Sequence, residues 1–129
     1  MSLIDKTSQI TTTLDSPRGS FTFLVSALAK NHIRMRAFQL DGDRARIVVD
    51  DPDLALAALR EVGIEAWVGE VIVVETSSDP DALEAILLDL KDAGVEIAAA
   101  CTAPTDSGTG LRTYLTVSDL EAAMRATSK

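Results

Sequence analysis

The chain has 129 residues, 47% of them hydrophobic and 25% charged, which is a globular profile and not a disordered one. A formal charge of −8 and a pI near 4.5 argue against nucleic acid or an anionic membrane as partner, since both would repel such a surface. The single cysteine permits no intramolecular disulfide, and no Cys/His cluster has metal-ligand spacing, so neither a metal nor another cofactor is expected.

The N-terminus lacks the basic-then-apolar run of a signal peptide. Apolar stretches such as residues 71–74 are far too short to cross a bilayer. The expected location is the cytoplasm.

In chain order, residues 1–8 are polar apart from Leu3 and Ile4 and read as a loose lead-in. Residues 10–14 are β-branched and predict a strand. Asp15 and Ser16 supply turn and cap chemistry, and a helix follows over 19–31 with Phe21, Leu24, Val25 and Leu28 on one face. Asn31 and His32 close it. Residues 33–40 alternate as a half-buried strand, with Ile33, Met35, Ala37 and Gln39 in one row. Asp41-Gly42-Asp43 is a hairpin turn and 44–49 the returning strand. Asp51 caps a helix with Pro52 at its first position, running to Val62 and stopping at Gly63. Residues 64–68 form a further strand, and Gly69 makes a joint.

The second half follows the same scheme. It reads as a strand over 70–76, a helix over 80–93, a strand over 95–103, a looser hairpin connection, and a strand over 112–117. Ser118 with Glu121 reads as the capping box of a last helix. The final strand of this unit is missing, and the open sheet edge requires a cover, for which Leu3-Ile4 or a second chain could serve.

The halves superpose at one offset of 62 residues, which lays Gly19 on Asp81. In that register Ile10, Phe21, Leu24, Val25, Leu28, Ile33 and Met35 fall on Ile72, Leu83, Ile86, Leu87, Leu90, Val95 and Ile97. Agreement at helical and strand spacing together indicates an internal duplication. The expected fold is therefore α+β: tandem ferredoxin-like βαββαβ units over 1–69 and 70–129. Their sheets are antiparallel with helices on one face, and the second unit lacks its last strand. Each half alone is too small to bury much of its surface.

The two copies differ at the junction between first strand and helix. The first reads Ser16-Pro17-Arg18-Gly19 and the second Ser78-Asp79-Pro80-Asp81. This polar-Pro-Gly junction in a duplicated unit resembles the ACT-domain family, small regulatory modules that bind amino acids. The Asp50-Asp51-Pro52 helix start and the Glu61-Val62-Gly63-Ile64 ending match it too. The family pattern is Asn or Asp, any residue, Pro, Gly. Here the first copy has serine in the polar place and proline one residue early, while the second keeps proline and loses glycine. The resemblance covers residues 9–126 and implies a non-enzymatic, free-standing regulatory protein. It also implies an amino-acid ligand against the first junction near a unit–unit interface, a homodimer, and an enzyme as possible partner of allosteric control.

The physical chemistry of the junction agrees with that location. A helix N-terminus presents unpaired N–H groups and a positive dipole end to a carboxylate. Gly19 permits close approach, Arg18 offers a bidentate pair, and Asp15 and Ser16 could receive an ammonium. Ser20 and Phe21 complete the helix start. The plainer alternative is an ordinary cap with Arg18 solvated. Gln39 ends an apolar row and either lines a pocket or reaches solvent. In the second copy Asp79 and Asp81 occupy the anion's place.

Cys101, which matches Gln39 in the repeat, reads as a small buried hydrophobe. No nucleophile or acid–base pair stands out, so no catalytic residue is assigned. Two rivals to the sensor remain: an interaction module or regulatory subunit with degenerate ligand sites, and, last, a small enzyme using Cys101 or the carboxylates.

Overall fold

A computed structural model describes residues 3–14 and 17–127, with backbone alone at 3 and 17–20. The elements are β1 (Leu3–Thr13), α1 (Pro17–Lys30), β2 (Met35–Asp41), β3 (Arg44–Val49), α2 (Pro52–Glu61), β4 (Ala66–Ser77), α3 (Pro80–Asp92), β5 (Ile97–Pro104), β6 (Gly110–Val117) and α4 (Leu120–Thr127). They form two compact units. The first is Ser8–Gly69, and the second combines Met1–Thr7 with Glu70–Lys129.

In the first unit the strands pair in the order β2-β3-β1-β4, with β3 antiparallel to both β1 and β2. That order in a βαββαβ chain is the ferredoxin-like arrangement. Ile10, Ala45, Ile47, Val49 and Ala66 from the sheet meet Leu24, Ala27 and Leu28 of α1 and Ala55 and Leu59 of α2 in one buried cluster. Both helices therefore cover one sheet face. Asp51 caps α2 as expected, its carboxylate accepting from the Leu54 N–H at 3.1 Å.

The second unit has the order β1-β4-β6-β5, with Ile72, Val74, Ile86, Leu90, Val95, Leu115 and Ala123 as its core. Its missing last strand is replaced by residues 3–7, where Ile4 packs against that core. The expected division into 1–69 and 70–129 therefore differs at its start, because the first seven residues group with the second unit. The lead-in is strand from Leu3 onward. Gly69 makes no joint either, since β4 runs unbroken from Ala66 to Ser77. Both departures share a cause. β1 and β4 are 11 and 12 residues long, and each supplies strand to both units. α4 is capped by Asp119, which accepts from Ala122 N–H, while Ser118 Oγ accepts from Glu96 N–H, so no Ser118–Glu121 capping box forms.

The duplication extends to individual hydrogen bonds. The Ile33 N–H returns to the Leu28 carbonyl at 3.0 Å, and at the same offset the Val95 N–H returns to Leu90 at 2.9 Å. Each is the long bond of a helix-ending turn with a left-handed residue inside it, His32 in one copy and Gly94 in the other. The strand ladders slip by one residue at equivalent places, between Met35 and Ala37 and between Ile97 and Ala99.

That bulge corrects the expected row Ile33-Met35-Ala37-Gln39. Met35 lies opposite Val49 of the core, but beyond the slip Ala37 and Gln39 lie opposite Val48 and Arg46, which alternate away from the core residues Ala45, Ile47 and Val49. Gln39 is thereby moved to the face without helices. Phe38 turns to the helix side, where its ring meets Phe21 with centroids 5.7 Å apart.

Candidate functional site

Of the expected site residues, only Phe21 and Gln39 have described side chains, and they lie on opposite faces of the first unit's sheet. Asp15 and Ser16 lie outside the described residues. Pro17 is the first residue of α1, so Arg18, Gly19 and Ser20 form its first turn, two residues earlier than the pattern suggested; their side chains are outside what is described. That turn carries no acidic residue, whereas α2, α3 and α4 begin with Asp53, Asp81 and Glu121. A helix N-terminus with no acid in its first turn keeps its positive dipole end for an anion, while an acid in the first turn supplies the charge internally.

Phe21 is half-buried and packs against the first core as well as against Phe38. Gln39 lies on the opposite face, half-buried on the edge strand β2, with Arg46 of β3 directly opposite it and Thr11 of β1 opposite Arg46. The Gln39 Oε1 atom is buried and receives no hydrogen bond. The structure thus separates Phe21 from Gln39 and joins Gln39 to Arg46. Arg46 is absent from the sequence-derived set because only the strand register places it there.

Asp79 stands at the N-cap of α3 without a side-chain cap bond, Pro80 follows it, and Asp81 occupies the first turn. In the same unit Arg112 donates from Nε and a terminal nitrogen to Glu75, and from its other terminal nitrogen to Asp106. The hydrogen bond with Glu75 is the main reason the guanidinium holds its proton even more firmly than usual. Cys101 is half-buried and directly opposite Tyr114. Of the aspartates near residue 50, Asp51 caps α2 and Asp50 pairs with Arg36 at 2.5 Å. Among the described residues no three His, Cys, Asp or Glu side chains assemble as metal ligands. No described helix is long and apolar enough to cross a membrane.

A cleft of about 380 Å³ in the first unit is lined by Arg60, Gly63, Ile64, Glu65, Ala66 and Trp67. It adjoins the end of β1, where Thr12 donates its hydroxyl proton to the Glu65 carbonyl. Trp67 is 55% exposed at this rim.

No family model matches the chain, and no curated protein matches it. Solved structures do. A protein of Bacteroides thetaiotaomicron aligns with a TM-score of 0.87 at 21% identity, covering 97% of this chain and 88% of that one. The regulatory subunit of aspartate kinase from Thermus flavus gives 0.66 at 20% identity, covering 97% and 93%. The fold is that of aspartate kinase regulatory domains. E. coli aspartokinase III, solved with lysine and aspartate, gives 0.59 at 14% identity; the match covers 98% of this chain and 32% of that enzyme. These likenesses support the ferredoxin-like α+β fold expected from the duplication.

Proposed function

We propose that the chain is a non-enzymatic regulatory protein that binds a small metabolite, an amino acid by its chemistry, at the first turn of α1. The observation that carries this reading is the difference between the two copies: α1 begins with Arg18 and Gly19 and no acid, while α3 begins with Asp81. The carboxylate is received by the N–H groups of the α1 first turn with Arg18 as counter-ion, and Asp15 and Ser16 take the ammonium. Gly19 and Ser20 allow the ligand to approach the backbone. The neighbouring structures support a regulatory role, since two of the three carry aspartate kinase names and one of these is a regulatory subunit. On that reading the chain acts as a homodimer on a partner enzyme, with ligand binding changing its association or shape.

The test is a thermal-shift screen of the purified protein against the twenty amino acids at millimolar concentration. A ligand that binds only the native state raises the midpoint by mass action. The expected result is a shift for one chemical class, lost in Arg18→Ala while the unliganded midpoint stays in place. Silence across the panel contradicts amino-acid sensing and leaves the interaction module.

A further inference from the structure

The face of the first unit that carries no helix holds a polar row that the second unit lacks. Thr11, Arg46 and Gln39 are successive cross-strand partners on β1, β3 and β2. Directly opposite residues of this kind bring their Cβ atoms to about 4.5–5.5 Å, so the three side chains share one small area. The equivalent row of the second unit is Val73, Tyr114 and Cys101, with Tyr114 only 3% exposed. One copy of a duplicated sheet is filled by an apolar valine, a buried phenol and a thiol. The other holds a hydroxyl, a guanidinium and an amide at the same places.

Two members of the polar row are incompletely satisfied. The Gln39 Oε1 atom is buried without a donor, a condition that is costly in a folded protein. Arg46 is half-buried, and beyond the ladder pairing of its backbone with β1 and β2 its guanidinium has no ion pair or hydrogen bond among the described residues. A guanidinium partly removed from water has much to gain from a carboxylate that it can grip with two N–H groups. The neighbouring Val48 is 3% exposed, so the surroundings are sheltered and such bonds are strengthened. The two needs are complementary: Arg46 requires an anionic acceptor, and Gln39 requires an N–H or O–H donor beside it.

We propose that Arg46, Gln39 and Thr11 form a binding site for a small α-amino or α-hydroxy acid. The carboxylate pairs with Arg46, and the ammonium or hydroxyl on the adjacent carbon donates to Gln39 Oε1. The site is separate from the first turn of α1 and rests on the preceding reading only in taking the ligand to be a small metabolite.

Proton–nitrogen NMR spectra of the full chain test this by following the Arg46 Nε–H, the Gln39 side-chain amide and the backbone amides of residues 17–20. The probes are the twenty amino acids, glycolate and lactate as hydroxy acids, and acetate as a carboxylate with no donor. The expected result is a saturable movement of the Arg46 Nε–H with at least one amino or hydroxy acid, and the stronger series names the source. Gln39→Leu weakens that binding about tenfold, the worth of one charge-assisted bond, and leaves acetate unchanged. Arg46→Lys, which keeps the charge and loses the fork, weakens both. An Arg46 Nε–H unmoved by every probe overturns the site, as does binding that is indifferent to Gln39→Leu. Movement confined to residues 17–20 overturns this site and leaves the α1 reading standing. Movement confined to Arg46 and Gln39 does the reverse.

Discussion

His32 and Gly94 occupy the same left-handed position after α1 and α3, with φ of 55° and 76°. A histidine pays for this conformation where a glycine does not, by about 1–2 kcal/mol before glycine's greater chain entropy is counted. His32→Gly is therefore expected to stabilise the protein by about 0.5–1 kcal/mol, and Gly94→Ala to destabilise it by about 1 kcal/mol. Urea midpoints decide the matter, and a loss of stability in His32→Gly contradicts it.

Gly110 is required by crowding and not by an unusual φ. A Cβ placed there meets the Thr76 carbonyl oxygen at 2.4 Å, and that oxygen belongs to backbone held in the β4–β6 ladder. Gly110→Ala is expected to cost about 1–3 kcal/mol, the range for forcing extra atoms into packed structure. Denaturant unfolding within about 0.5 kcal/mol of wild type would show that the strand ends yield freely.

Ile4 tests the borrowed strand. It packs on the second core from residues 3–7, which group with Glu70–Lys129. Ile4→Asp places a carboxylate against that core and is expected to cost about 2–3 kcal/mol. Amide hydrogen exchange should quicken through residues 70–127 more than through 8–69. Uniform or absent acceleration argues against the assignment.

The two Asp-Pro helix starts differ in energy although they look alike in sequence. Asp51 accepts a hydrogen bond from Leu54, while Asp79 makes no side-chain cap bond. Asp51→Ala should cost about 1 kcal/mol, and Asp79→Ala about 0.3–0.5 kcal/mol from the lost dipole interaction alone. Equal losses in thermal unfolding would contradict the contrast.

Much of this architecture is legible in the residues. Leu24 and Leu28 at helical spacing, Asp51-Pro52 at a helix start and Gly63 and Gly94 at helix ends each carry a local physical signal, and all lie where expected. Three features escape such reading. Lys6, Thr7 and Ser8 look like a lead-in because a strand shared between two units need not alternate cleanly. Gly69 resembles punctuation, but β4 passes through it with open space around the missing Cβ. The slip between Met35 and Ala37 leaves no mark in composition, yet it reverses every side chain after it. For that reason Gln39 appears in an apolar row by sequence and beside Arg46 in the fold.

The central claim, that the first unit binds an amino acid and the second does not, is tested most directly by amide hydrogen exchange with and without a mixture of the twenty amino acids. The account predicts slowed exchange confined to residues 8–69, greatest in the first turn of α1, with residues 70–127 unchanged. Unchanged exchange throughout, or protection centred on the Asp79–Asp81 junction, would contradict it.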